Sequence, residues 1–365
     1  MQATAQRFSE LHPGSEVLWE KRSLQQFADA PLASLAARFD LMVIDHPSIG
    51  EAAHQELLLP LDEFLPPDFL DDQAANSVGA SHASYHYGGH QWALAIDAAT
   101  PVSSWREDLI AKDELPQTWD DLLRLARSGK VIVPAIPIDS LMNFFMLANA
   151  HGATPFASLD TVVQDHTVGA EALARLRELV LLAAPGSLER NPIRTYEAMT
   201  TSDIAAYCPF AYGYSNYARE GYAAKRLRFG GLVSFGGSTL RSTLGGAGLA
   251  ISRHCRNPEL AVAYAQTVAC AETQRTIYMF AGGQPGHRAA WTDEALNEHA
   301  HGYFRDTLPA LDAGWVRPRF PGFIAFQDEA SVLVHRYLVD GGSERAVLDA
   351  MDAALAQHYK QGDAA

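Results

Sequence analysis

The spacing of apolar and polar residues changes period several times along the chain. Residues 1–11, Met-Gln-Ala-Thr-Ala-Gln-Arg-Phe-Ser-Glu-Leu, predict an amphipathic helix that His12-Pro13-Gly14 stops. Residues 16–22, Glu-Val-Leu-Trp-Glu-Lys-Arg, alternate at period two and predict a strand, followed by a helical stretch over residues 24–38. The apolar run Phe39-Asp-Leu-Met-Val-Ile-Asp45 suits a buried parallel strand. Strand, helix and strand in that order predict a right-handed crossover and an α/β fold with a doubly wound sheet, whose ligands sit at the carboxyl ends of strands. Asp45 and His46 occupy one such end. Residues 57–67 read as a surface segment, Gln91-Trp-Ala-Leu-Ala-Ile-Asp97 as another strand ending in an acid, and Pro101 as an interruption of the path.

From Ser103 the pattern starts again. Thr118 with Asp121 three residues later is an acid variant of the capping box, and predicts a helix running to Ser128-Gly129. Residues 131–137, Val-Ile-Val-Pro-Ala-Ile-Pro, predict a strand with edge or bulge prolines. Asp139-Ser140 open an apolar helix to residue 150, and a charged helix covers residues 168–182. Residues 207–217 hold four tyrosines and a phenylalanine with no clean period, and Pro209 and Gly213 predict a loop. Residues 243–252 form a Gly-led strand, and Asn257-Pro258-Glu259 open a helix of about fifteen residues. Residues 281–286 and 317–322 read as loops, and the tail from Asp328 as helix.

Composition narrows the class. With 48% hydrophobic and 19% charged residues over 365 positions, the chain buries one large or two ordinary cores and is no disordered protein. A net charge of −15 repels phosphate backbones, which argues against nucleic acid and anionic membrane surfaces as partners. Cys208, Cys255 and Cys270 form no CxxC pair, so neither a zinc ribbon nor a disulfide framework is indicated. No run of about 18 apolar residues is present to span a bilayer. The first residues lack the basic region, apolar region and cleavage site of a secretory signal.

The order of motifs resembles a known family. Phe39-Asp-Leu-Met-Val-Ile-Asp45 is similar to the P-D-I-I strand, and Leu57-Leu-Leu-Pro-Leu-Asp62 to the G-L-L-x-P-L segment, of the extracellular solute-binding proteins of ABC importers. The likeness is to the carbohydrate-binding group related to maltodextrin-binding protein. Residues 93–97 followed by 102–109 resemble its hinge strand, and Leu115-Pro-Gln-Thr-Trp-Asp-Asp-Leu122 its P-K-T-W-E-E-L. Gly245-Gly-Ala-Gly-Leu-Ala-Ile251, then Asn257-Pro-Glu-Leu-Ala-Val262 and Glu272-Thr-Gln274, follow as in that family. The resemblance implies a two-lobed periplasmic-binding-protein-like fold. Residues 1–98 with 241–300 would form the first lobe and 101–238 with 301–365 the second, closing on a solute by population shift. It implies a small-molecule solute, a sugar above all, an ABC transporter permease as partner, a monomer, a periplasmic or extracellular location, and neither cofactor nor catalytic residue. Family members begin with a central strand ahead of the first helix, whereas Met1 falls at that helix. The resemblance therefore implies either a late start, which predicts that the chain as numbered is unstable, or a true start in the cytoplasm.

Sugar sites combine aromatic rings with Asp, Asn, Gln and Arg side chains that take hydroxyls. Tyr207, Tyr212, Tyr214 and Tyr217 with Asn216 lead the candidates, against packing of tyrosines in a core. Asp45, His46 and Asp97 stand at predicted strand ends, where caps and turns compete as explanations. Asp139 and Asn143 share a face at a helix start, and Asp139 also suits a plain N-cap. Gly245 and Gly246 have neither phosphate-loop ending nor dinucleotide spacing, and read as close backbone approach to ligand or a strand bulge. Gln284, Arg317 and Arg319 lie in proline-flanked loops, and two arginines facing a ligand would favour an acidic sugar or another anion. His82, His86 and His90 recur every four residues, but Gly88-Gly89 breaks the ladder a metal would need. Cys208 has no visible histidine partner and reads as a small buried hydrophobe. Acids and aromatic platforms also build glycoside-processing enzymes, and a cytoplasmic sensor module is a third use of the same features.

Overall fold

The computed structural model describes residues 1–21 and 31–364. In chain order its principal elements are α1 (Gln2–Leu11), β1 (Leu41–Ile44), β2 (Leu94–Ala99), β3 (Pro101–Trp105), α2 (Trp119–Arg127), α3 (Pro137–Ala150), α4 (His166–Leu182) and α5 (Pro192–Thr201). There follow β4 (Tyr207–Tyr212), β5 (Arg228–Gly230), β6 (Gly245–Ile251), α6 (Pro258–Ala269), α7 (Tyr303–Asp312), α8 (Phe323–Asp340) and α9 (Glu344–Ala364). The chain divides into two compact units: Met1–Ala99, Gly245–Leu296 and Arg319–Pro321 in one, Thr100–Leu244, Asn297–Pro318 and Gly322–Ala365 in the other.

The first unit is built on a sheet of order β1-β6-β2. Both ladders are antiparallel, with Leu41 opposite Ile251 and Ala247 opposite Asp97. The parallel pairing predicted for Phe39–Asp45 is thus corrected: the neighbour of β1 is a strand that returns some 200 residues later in the opposite direction. Apolar residues cover both faces. Phe8 of α1, Leu94, Leu249 and Tyr264 of α6 pack on one, and Ile44, Ile49, Leu58 and Ala250 on the other. The predicted first helix forms, burying Thr4, Ala5 and Phe8 from one face, and the Thr4 hydroxyl lies 2.8 Å from that of Tyr264. Residues 16–21 keep the predicted alternation of exposure without belonging to a ladder, and much of the predicted helix over residues 24–38 lies outside the described residues. Leu32–Ala36 is its helical part within them.

The second unit holds a sheet of order β4-β3-β5, again antiparallel, with Pro101 opposite Tyr212 and Trp105 opposite Tyr207. Pro101 opens a strand rather than ending the path, because a first strand position needs no N–H. The capping box at Thr118 is present: its hydroxyl accepts from the Asp121 N–H at 3.2 Å, and the Asp121 carboxylate accepts from the Thr118 N–H at 3.0 Å. The strand predicted over residues 131–137 is reduced to one parallel bridge from Val131 to Tyr207, since Pro134 and Pro137 supply no donors. Helices α3, α4 and α8 bury the largest apolar faces of this unit, with Leu141, Phe144, Phe145, Leu176, Phe326 and Val334 fully enclosed. Among the described residues no helix is long and apolar enough to cross a membrane.

Candidate functional site

In the first unit Asp45 directly follows β1 and caps a short 3-10 turn. Its carboxylate accepts from the His46 N–H at 2.8 Å and lies 3.2 Å from His46 Nδ1. His46 is 1% exposed, so it belongs to the core rather than to an open strand end. Asp97 stands within β2, not at its end. Desolvation pushes its carboxyl up to about 7, against a hydrogen bond from the Gln284 backbone that favours the ionised form. Gln284 is buried, and its side-chain amide donates to the Ala98 carbonyl at 2.8 Å, which fixes the loop to the strand. At Gly246 φ is +101°, and a Cβ there would stand 2.2 Å from the Asp97 carbonyl oxygen. Gly245 and Gly246 therefore serve close passage of β6 along β2, beside the bulge between Ala247 and Gly248. Arg319 is no loop cation awaiting an anion: Nη1 donates to the carbonyls of Ala83, Ser84 and His86 at 2.8, 3.0 and 2.8 Å. The histidine ladder is broken, with His82 in a one-turn helix and His86 and His90 in a hairpin, where His90 lies 2.9 Å from Asp62.

In the second unit the tyrosine-rich stretch is not a loop throughout. Residues 207–212 form β4, and the cluster separates by period two into core and surface. Tyr207 and Tyr217 are 2% and 3% exposed, and the Tyr217 hydroxyl donates to Glu197 at 2.6 Å. Tyr212, Tyr214 and Asn216, at alternate positions, are half-buried, while Gly213, Ser215 and Tyr217 between them are buried. Tyr196 and Tyr303, absent from the predicted set, hold this row in place. The Tyr196 hydroxyl donates to the Ala211 and Tyr212 carbonyls at 3.2 and 3.1 Å, and a Cβ on Gly213 would meet the Tyr303 hydroxyl at 2.2 Å. No sequence signal links residues so far apart. The Tyr212 hydroxyl is 2.9 Å from the Thr243 hydroxyl.

Asp139 lies in the first turn of α3, but the cap position is Ile136 and Asp139 makes no cap bond, so the N-cap reading fails. It is 6% exposed, Oδ2 has no hydrogen-bond partner, and burial pushes the carboxyl up to about 8. Asn143 is buried, and its side-chain amide donates to the Pro134 carbonyl at 3.0 Å. Arg317 is buried and donates to Gln327 at 2.8 Å, so it is not a solvated surface cation. Cys208 is buried beside Asp139, and desolvation pushes its thiol up to about 12, which leaves no thiolate nucleophile. Of the candidate side chains, Asp45 and Asp97 in one unit and Tyr212, Tyr214 and Asn216 in the other are half-buried, and Asp139 Oδ2 is buried without a hydrogen-bond partner.

Comparison with known proteins places this arrangement. The fold superposes on maltose-bound MalE3 of T. maritima with a TM-score of 0.82 and 17% identity, covering 98% of this chain and 95% of that one. An ABC transporter solute-binding protein of Agrobacterium radiobacter K84 in complex with ribitol gives 0.81 at 17% identity, covering 99% and 94%. The maltotriose-binding protein of Pyrococcus abyssi is 26% identical over 121 residues, 33% of this chain, and the match spans only 25% of that relative's length. The family described as bacterial extracellular solute-binding protein matches residues 3–301, well over half of the chain, and the chain belongs to that family.

Proposed function

We propose that the chain is a carbohydrate receptor that captures a mono- or oligosaccharide and hands it to the permease of an ABC importer. The observation that carries this reading is the row Tyr212, Tyr214 and Asn216, two aromatic rings and an amide at alternate positions, half-exposed over a buried base. Aromatic rings take the apolar faces of sugars and amides take their hydroxyls, which is the pairing a polyhydroxylated solute needs. Burial raises the Asp139 carboxyl to about 8, which favours its neutral form at pH 7 and adds no fixed charge to this unit. Asp45 and Asp97 are the candidate carboxyl groups of the first unit. Maltotriose, maltose and ribitol, the solutes named for the relatives above, are all polyhydroxylated. With Arg317 and Arg319 both bonded to protein groups, a neutral solute is favoured over an acidic one.

The receptor acts without turnover, as a monomer outside the cytoplasmic membrane, with no cofactor and no nucleic-acid partner. A melt-shift and calorimetry screen over maltose, maltotriose, ribitol, galacturonate and an amino acid tests the reading. A solute at 100 times its Kd stabilises the folded chain by about 2.7 kcal/mol. Stabilisation by neutral sugars or polyols, with no glycoside hydrolysed, is expected. Response to the amino acid alone, or hydrolysis of any glycoside, overturns it.

A further inference from the structure

Within the second unit, one ring of the tyrosine row is held from below by a residue that meets no solvent. Thr243 is fully buried, and its hydroxyl lies 2.9 Å from that of Tyr212, which is half-buried. The Tyr212 side chain is therefore held at both ends. At its root Tyr212 pairs with Pro101 across β3 and β4, and its carbonyl accepts from the Tyr196 hydroxyl at 3.1 Å. At its tip it meets Thr243, a β-branched residue whose own side chain is stiff about its first bond.

Thr243 is in turn fixed by segments distant in sequence. The Leu244 N–H donates to the Trp315 carbonyl and the Trp315 N–H to the Ser242 carbonyl, both at 2.7 Å, so Thr243 and Trp315 form a parallel bridge. The Thr100 hydroxyl lies 3.1 Å from the Thr243 carbonyl and 2.5 Å from the Ser242 hydroxyl, which donates to the Ala310 carbonyl at 3.1 Å. Thr100 also reaches the root of Tyr212, since its carbonyl accepts from the Gly213 N–H at 3.1 Å. One buried residue thus holds both the peptide that follows Tyr212 and the peptide of the residue that Tyr212 touches. All of these residues belong to the second unit.

A hydroxyl shut away from water is costly to leave without a partner, so the pair resists any motion of Tyr212 that would part it. Turning Tyr212 to another rotamer about its first side-chain bond carries the phenol oxygen away from Thr243. Rotation of the ring about its own long axis leaves that oxygen in place and is not opposed. The ring is confined to one rotamer before any solute arrives.

The geometry points to Thr243 as a positioning residue for solute binding: through the Tyr212 hydroxyl it holds that ring where a sugar stacks on it, so that capture need not order the side chain. This inference rests on the receptor reading of the row. It adds that Tyr212 serves the solute with its ring face, while its hydroxyl serves the protein.

The test compares Thr243→Val, close to threonine in shape but without the hydroxyl, with Thr243→Ser, Tyr212→Phe and the double variant Tyr212→Phe/Thr243→Val. In the free chains, the three-bond couplings from ring carbon Cγ of position 212 to its backbone nitrogen and carbonyl carbon report the rotamer. One rotamer is expected in the native chain and in Thr243→Ser, and an average of rotamers in Thr243→Val and Tyr212→Phe. In calorimetry with maltose, maltotriose and ribitol, Thr243→Val and Tyr212→Phe should each weaken binding about two- to tenfold, the range set by ordering one side chain, and the double variant no further. Thr243→Ser should restore native affinity. A single rotamer in Thr243→Val overturns the tether. Native affinity in Thr243→Val, or an equal loss in Thr243→Ser, overturns the role in binding. A loss from Tyr212→Phe that adds to that of Thr243→Val means that the hydroxyl itself meets the solute, and overturns the assignment as well. If none of the three solutes binds the native chain, the receptor reading fails, and the couplings alone decide the tether.

Discussion

Replacing Asp139 by Asn should make the protein more stable, by an amount that grows with pH. The carboxyl is 6% exposed with Oδ2 unpartnered, and burial moves it from 3.8 to about 8. Because its folded value lies above its unfolded one, the native chain holds a proton that the unfolded chain has released between pH about 4 and about 8. Stability contributed by this group is therefore full in acid, falls as pH rises through that window and levels off above it. About four pH units at about 1.4 kcal/mol each set a ceiling of roughly 5 to 6 kcal/mol. The N-terminal turn of α3 favours the ionised form by about 1 kcal/mol, and local relaxation lowers the cost further. Asp139→Asn, which carries no titrating proton, should gain about 3 kcal/mol over the native chain at pH 8 and almost nothing at pH 4. Urea unfolding at unit pH steps from 4 to 9 reads this directly. Asp97, displaced to about 7 by the same cause, gives a second slope of the same sign, so the variant keeps part of the dependence. A variant with the native slope unchanged, or one less stable than the native chain at pH 8, refutes the reasoning.

Tyr214→Ala is expected to weaken binding of the solute found in the screen at least about tenfold, with the melting temperature of the free chain within about 2 °C of native. Tyr217→Phe, which removes the bond to Glu197, should cost about 1 kcal/mol in urea unfolding and leave binding unchanged. Gly246→Ala should destabilise by about 2 to 3 kcal/mol, since its Cβ meets backbone and φ is +101°; a loss below about 0.5 kcal/mol in the same assay would show that β6 moves freely. Thiol labelling of the native chain should modify Cys255 and Cys270, both half-buried, well before Cys208, whose rate should match that of unfolding.

What the residues announce in advance is whatever depends on near neighbours. The Thr118 and Asp121 box is three residues wide, and so could be read. The stretch around Tyr207 carries a contrary local signal, because Pro209 marks a break. It sits where Val102 to Ser104 of β3 faces Ala211 to Cys208 of β4, a bulge in which the missing N–H is not demanded. The alternation of Tyr212, Tyr214 and Asn216 is visible as spacing, but which parity faces inward is decided by Tyr196, Tyr303 and Glu197, distant in sequence. The direction of β1 was equally beyond local reading, since a four-residue apolar run carries no mark of how its partner runs. Arg317 and Arg319 looked alike in a proline-flanked loop, yet one meets Gln327 and the other three carbonyls of residues 83–86.

The short return of Arg319–Pro321 to the first unit sets a timetable for folding. The Arg319 guanidinium ties three carbonyls of that unit, its neighbouring Gly50 has no room for a side chain beside the Arg319 carbonyl, and β1 waits for β6 to arrive. Although it holds the amino terminus, this unit lacks its full set of contacts until residue 321 has been made. At about 5 to 20 residues per second, that is on the order of tens of seconds of synthesis. Throughout that interval the carbonyls of Ala83, Ser84 and His86 lack the guanidinium that ties them together in the finished unit.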